Sequence, residues 1–174
     1  MSIREVKKYL PNELIEILET IYSTKQLDTI YRSFYKGRNT SFRVNSLRGN
    51  QNEVMEELMK EKIKAVNHSI IKNAFIVKDK KESALRKLEV YKYGKIYIQN
   101  ISSMLPPLFL DLKEEQVILD MCAAPGGKSL YMADLTNNKA IIMANDVNEI
   151  RRERLNYNIE KQGANSIIAF GSDG

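Results

Sequence analysis

Val117-Ile118-Leu119-Asp120-Met121-Cys122-Ala123-Ala124-Pro125-Gly126-Gly127-Lys128-Ser129-Leu130 is the stretch whose reading decides the fold. An apolar run ends in an acid, passes through small residues and enters a helical pattern carried by Leu130, Ala133, Asp134 and Leu135. A strand that turns through small residues into a helix aims free backbone N–H groups at one spot. The positive end of the helix dipole adds to the field there. Such a turn suits the anionic end of a ligand.

Downstream the same alternation continues: strand 117–120, helix 127–136, strand 140–145, helix 148–162 and strand 166–170. Strands alternating with helices predict a parallel sheet with crossover helices, an α/β class. Upstream the pattern is less regular. Residues 10–23 read as an amphipathic helix with Leu14, Ile17, Leu18 and Ile21 as its core stripe. Residues 40–47 read as a strand with Phe42 and Val44 on one face and Arg43 and Asn45 on the other. A helix over 51–62 is capped by Asn50 or Asn52, with Met55 and Met59 as core filler. Short strands follow at 74–77 and 95–98, with a charged turn at 78–82 between them. Residues 101–110 read as a helix interrupted by Pro106-Pro107. The change of character divides the chain into a domain of residues 1–94 and a second of residues 95–174.

Charge divides it the same way. Residues 1–94 hold 19 Lys and Arg against 12 Asp and Glu, and residues 95–174 hold 8 against 10. The front is therefore the part expected to meet a polyanion. Within residues 31–48, Arg32, Lys36, Arg38, Arg43 and Arg48 interleave with Tyr31, Phe34, Tyr35 and Phe42, with no acid among them. Basic side chains meet phosphates and aromatics stack on unpaired bases, so this segment reads as an RNA surface, with Arg38, Arg43 and Asn45 facing the RNA and Phe42 in the core. No apolar run reaches the roughly 18–20 residues of a bilayer span, and no membrane partner is expected. One cysteine in the whole sequence excludes an intrachain disulfide and suits a reducing cytoplasm. One histidine, His68, and that cysteine cannot assemble a soft-ligand metal site, so no metal is expected.

Three acids fall where parallel strands end: Asp120, Asp146 and Asp173. Ligands of open α/β sheets lie outside those ends. An acid after the second strand suits a ribose diol, and Asp146 lies 26 residues after Asp120. An acid after the third, Asp173, suits an adenine amino group. Together they describe a nucleoside whose charged tail rests on residues 122–128. The rival is a phosphate-binding P-loop. Cys122 to Ser129 fits G-x-x-x-x-G-K-[ST] except at Cys122, but Pro125 removes an N–H donor and Asp120 sets a carboxylate beside the phosphates.

The turn resembles the cofactor loop of the Sun-type (Nol/Nop/Sun) RNA (cytosine-5)-methyltransferases, which use S-adenosylmethionine. Residues 39–47, Asn-Thr-Ser-Phe-Arg-Val-Asn-Ser-Leu, are similar to the family's R-x-T-x-x-R-V-N-x-L segment, although Asn39 stands where a basic residue is frequent. Residues 94–104 resemble its G-x-x-x-x-Q-x-x-S-S-M entry to the catalytic domain, and Asn145-Asp146-Val147 with Arg151 and Leu155 resembles its ribose-binding turn and helix. The resemblance implies a small α/β RNA-binding domain followed by the first half of a Rossmann-like methyltransferase sheet, acting on ribosomal or transfer RNA. It implies that Cys122, Ala123, Ala124, Pro125, Gly126, Gly127 and Lys128 wrap the methionine part of the cofactor, that Asp146 holds the ribose, and that Asp173 holds the adenine. It makes Cys122 a cofactor-loop residue and not the nucleophile.

Methylating carbon 5 of cytosine needs a thiolate at carbon 6. The family draws it from segments beyond the third strand, so this chain is expected to be the N-terminal portion of a longer enzyme and inactive alone. Its sheet edge at strand 117–120 is expected to be open to self-association. A non-catalytic RNA-binding or regulatory fragment is the second functional reading, and a P-loop NTPase the third.

Overall fold

The computed structural model describes residues 3–36, 39–78 and 82–173. The expected charged turn at 78–82 lies mostly outside them, as do Arg38 and the side chain of Lys36. The chain divides into two compact units, Met1–Arg38 and Asn39–Gly174. The first carries three helices, α1 (Ile3–Lys7), α2 (Asn12–Ile21) and α3 (Thr24–Lys36). The apolar stripe expected of α2 is only half realised. Leu14 and Leu18 are half-buried, but Ile17 and Ile21 are 55% and 64% exposed, because only one edge of the stripe is covered. Lys7 pairs with Glu19 and lies over the buried Tyr31 ring, 4.9 Å from its centre.

The second unit begins with a four-stranded antiparallel sheet of β1 (Ser41–Val44), β2 (Ala65–Asn67), β3 (Ala74–Val77) and β4 (Ile96–Ile98), in the order β2-β3-β1-β4. One face is built from Phe42, Val44, Phe75, Val77 and Ile96 and packs on α4 (Gln51–Lys60), α5 (Glu82–Leu85) and α6 (Glu89–Lys92). Phe42 stacks on Phe75 with ring centres 5.3 Å apart. Asn50 caps α4 by accepting from Glu53 N, and the Glu57 carboxylate accepts from the first two N–H groups of α6. Val54 and Leu58 are the buried face of α4, whereas Met59, expected as filler, is exposed.

The opposite face of this sheet is covered too. Ala74 packs with Ile71 of the β2–β3 connection, with Met104 of α7 (Ile101–Leu108) and with Tyr131 of α8 (Gly127–Leu135). Helix α7 runs through both prolines and ends directly after them, so they close its last turn instead of interrupting it.

The parallel sheet has the order β5-β6-β7, with β5 (Val117–Asp120), β6 (Ile141–Asn145) and β7 (Ile167–Phe170). Ile142, Ala144 and Ile167 pack under α8 and α9 (Glu149–Gln162) with Leu130, Ala133 and Leu155. All three strands and both helices fall within a residue or two of the expected bounds. The junction at 94/95 lies inside the second unit.

The expectation that Arg43 and Asn45 face outward fails here, since each is only 1% exposed. The reason is topological: β1 lies inside a sheet covered on both faces, so alternation along it selects between two interiors. Arg43 Nη1 donates to Asp134 Oδ2 of α8 at 3.0 Å. The guanidinium carbon lies 5.3 and 4.8 Å from the ring centres of Tyr97 and Tyr131. Asn45 Nδ2 donates to the carbonyls of Gly94 and Gln162, both at 2.8 Å. Beside it Gly94 has φ +70°, and a Cβ there would meet the Lys161 carbonyl oxygen at 2.1 Å, so only glycine fits. These polar contacts lock the antiparallel sheet onto helices α8 and α9.

Candidate functional site

Three strand ends converge on one cleft of about 270 Å³. It is lined by Met121 and Cys122 after β5, Asn145 at the end of β6 with Asp146 and Val147 after it, Arg151 of α9, and Ser172 and Asp173 after β7. The sequence-selected Cys122, Asp146 and Asp173 therefore stand together. The remaining loop residues turn elsewhere. Ala123 and Ala124 are buried in the core under the sheet, and Pro125 faces a different cleft. Lys128 is half-buried on the first turn of α8 and does not line the acid cleft.

The turn itself is held rigidly. Ala123 N donates to the Asn145 carbonyl at 2.8 Å, Ala124 N to Asp146 Oδ2 at 3.2 Å, and Cys122 N to Asp120 Oδ1 at 3.3 Å. The Ala124–Pro125 peptide is cis. Gly126 has φ +108°, and a Cβ there would come within 3.0–3.1 Å of Leu155 and Leu130. Several N–H groups expected to be free for an anion are thus already given to protein acceptors. Those left without an intrahelical acceptor are in the first turn of α8.

Asp120 braces this turn; it does not line the cleft. Its Oδ2 accepts from Ser129 Oγ at 2.7 Å, and Ser129 is fully buried. In a P-loop that hydroxyl faces a nucleotide-bound metal; here it is committed to a carboxylate. Among the described residues no group of three His, Cys, Asp or Glu gathers as a metal site. No helix among them is long and apolar enough to cross a membrane.

Asp146 is 3% exposed and held on three sides, by Ala124 N, by Asn148 N at 3.2 Å and by Arg151 Nη2 at 3.2 Å. A carboxylate offers about four acceptor positions, so capacity remains toward the cleft. Arg151 also donates to the Ala124 carbonyl at 2.8 Å. It sits in the first turn of α9, where a cation opposes the helix dipole, and that unfavourable placement is the sequence signal for its special role. Asn145, which the resemblance groups with Asp146 and Arg151, braces the neighbouring strand end. Its amide donates to Ser172 O at 2.9 Å and accepts from Ser172 N at 2.8 Å, which fixes the chain just before Asp173.

The Arg43–Asp134 pair was also not anticipated. Burial pushes the Arg43 guanidinium below its usual range, against the opposing pull of Asp134. Burial raises the Asp134 carboxyl, against the pull of Arg43 and of the Ser46 N–H that donates to it at 2.9 Å. The visible signal was Asp134 itself, an acid inside a helix whose residues 129–134 are all buried.

Residues 107–174 match the family model described as 16S rRNA methyltransferase RsmB/F. Over 94% of its length the chain is 33% identical to a tRNA (cytosine(49)-C(5))-methyltransferase of Pyrococcus abyssi, of which it covers 51%. Over 95% it is 31% identical to the ribosomal RNA small subunit methyltransferase F of Vibrio atlanticus, of which it covers 36%. It spans about half or less of the length of these relatives. The crystal structure of a methyltransferase homolog protein from Pyrococcus horikoshii superposes with a TM-score of 0.77 at 30% identity, over 94% of this chain and 57% of that one. The crystal structure of NSun6 from the same organism with SFG shares the fold, with a TM-score of 0.83 at 19% identity over 94% of this chain and 65% of that one. The antiparallel sheet, the parallel sheet and the turn between β5 and α8 are all inside the matches to these two relatives, and over nearly its whole length the chain is similar to RNA (cytosine-5)-methyltransferases of the Sun type.

Proposed function

We propose that this chain supplies the cofactor cleft of an RNA (cytosine-5)-methyltransferase that uses S-adenosylmethionine, with ribosomal or transfer RNA as substrate. The observation that carries the reading is the convergence of Cys122, Asp146 and Asp173 from three strand ends on one cleft. The donor set fits the group. Asp146 has acceptor capacity for a ribose diol, and Asp173, exposed at the rim, can accept from an exocyclic amine. A volume of about 270 Å³ lies just under the roughly 300 Å³ lower bound of small-molecule sites, which suits the nucleoside end. When bound, the cofactor provides an electrophilic methyl group. The chain's own residues position it: Arg151 and Asn148 hold the Asp146 carboxylate, and the Asn145–Ser172 pair holds the approach to Asp173.

Labour divides at 94/95 in this reading, with residues 1–94 contributing to the RNA contact and residues 95–174 to the cofactor. Of the residues first put forward for RNA contact, Arg38 remains a candidate. Arg43 and Asn45 act as structural ties. Cys122 lines the cofactor cleft, and no residue of this chain is assigned the thiolate that adds to carbon 6. The cytoplasm is the compartment we favour, given the RNA substrates and the single free thiol.

The test is ligand-dependent stabilisation. S-adenosylhomocysteine should raise the melting temperature in a saturable way and Mg-ATP should not. Stabilisation by Mg-ATP alone would return the P-loop reading to first place, and stabilisation by neither would remove the cofactor from the chain.

A further inference from the structure

A second cleft of about 500 Å³ opens between residues 86–98 and helix α9, and the cofactor reading does not use it. Its walls carry Arg86, Arg154 and Lys161 together with Tyr91, Tyr97 and Tyr157, and no acid lines it. Arg86 is paired with Glu82, but Arg154 and Lys161 make no ion pair among the described residues. The Lys161 ammonium lies 3.7 Å from the centre of the Tyr91 ring and 5.8 Å from that of Tyr157, and Arg86 lies 5.3 Å from Tyr91. Tyr157 is 62% exposed and leaves most of its ring open to a stacking partner. Burial, and the nearby Arg86, hold Lys161 below the ordinary lysine range. Cations gathered without a counter-charge repel one another, and an anion between them reverses that penalty.

From this arrangement we propose that the cleft binds RNA, taking a backbone phosphate between Arg154 and Lys161 and stacking an unpaired base on Tyr157. The inference rests on the RNA-modifying reading and locates a contact surface for that substrate in the second half of the chain. The site abuts the cofactor turn. Pro125 lines this cleft while Met121 and Cys122 line the other, and Asn158 Nδ2 on α9 donates to the Pro125 carbonyl at 2.8 Å. One turn thus separates the two ligands and touches both sites.

The experiment is fluorescence anisotropy of the whole chain with a labelled single-stranded RNA about a dozen nucleotides long, between about 50 and 200 mM salt. The R154Q/K161Q variant should bind about tenfold more weakly, and its log–log salt slope should be shallower by about 0.7, the value for one lost phosphate contact. The Y157A variant should bind about tenfold more weakly with the slope unchanged, because stacking releases no counterions. The charge-matched control is K113Q/K139Q, two exposed lysines outside the cleft and outside residues 1–94. Variants indistinguishable from that control overturn the proposal, and so does an unmodified chain that binds no RNA. Calorimetric titration of the unmodified chain with S-adenosylhomocysteine separates this outcome from the cofactor reading. Heat without RNA binding leaves the cofactor cleft standing, whereas variant-sensitive RNA binding without heat leaves only the basic cleft.

Discussion

The two sheets of the second unit are built from similar apolar strands and end up in opposite conditions. The antiparallel sheet is covered on both faces, and even its arginine, Arg43, is sealed under helix α8. The parallel sheet is covered on one face only. On the other, Val117, Leu119, Ile141 and Ile168 are 71%, 59%, 48% and 53% exposed. Parallel sheets are ordinarily buried on both sides. The difference teaches that the antiparallel sheet is the structural anchor, and that the parallel sheet carries the ligand cleft at its strand ends while keeping an open face.

The strongest way to break that comparison is to unlock the anchor. Arg43→Ala leaves Asp134 buried without its partner and should cost about 3–5 kcal/mol of unfolding free energy in urea titration. The double variant R43M/D134L, which removes both charges, should recover most of that loss. Should the single variant prove neutral, the Arg43–Asp134 pair is not what joins sheet to helix. The ligand cleft is probed next. Asp146→Asn should weaken S-adenosylhomocysteine by about 10–100-fold in calorimetry, the scale of a charged hydrogen bond; unchanged affinity would take Asp146 out of the cofactor site.

The turn between β5 and α8 gives a smaller effect. Gly126→Ala forces a side chain into a left-handed backbone and against Leu155 and Leu130, and should lower stability by about 1–2 kcal/mol. A neutral result would mean that the turn can relax without its neighbours. The smallest change in stability comes from the open face. Leu119→Lys should shift unfolding by no more than about 0.5 kcal/mol, as at an exposed site. In sedimentation velocity the unmodified chain should self-associate as concentration rises and the lysine variant should not. A monomer at all concentrations would show that the bare face and the β5 edge are tolerated in water.

Legibility in the sequence followed the range of the interactions. The parallel sheet was readable because each strand and helix carries its own local signature: β5, β6 and β7 are apolar runs, Asn148 caps α9 and Gly163 ends it. The cleft acids were readable for the same reason, since the end of a strand marks where ligands gather. The burial of Arg43 and Asn45 was not. Alternation along β1 separates its two faces but does not say whether each face meets water or a helix, and the helix that covers Arg43 comes some 90 residues later. Arg86, Arg154 and Lys161 are likewise far apart in sequence and form one cationic wall only when α9 packs against residues 86–98.

By itself the sequence determined the α/β alternation, the strand–turn–helix of residues 117–135 and the candidacy of Cys122, Asp146 and Asp173, because these depend on backbone propensity and on spacing within one repeat. Only the tertiary structure decided which basic residues are available to an RNA. It took Arg43 and Asn45 into the interior and left Arg154 and Lys161 beside an open cleft. Exposure of a charged side chain is set by what packs over it, and that partner is chosen by the topology of the whole unit.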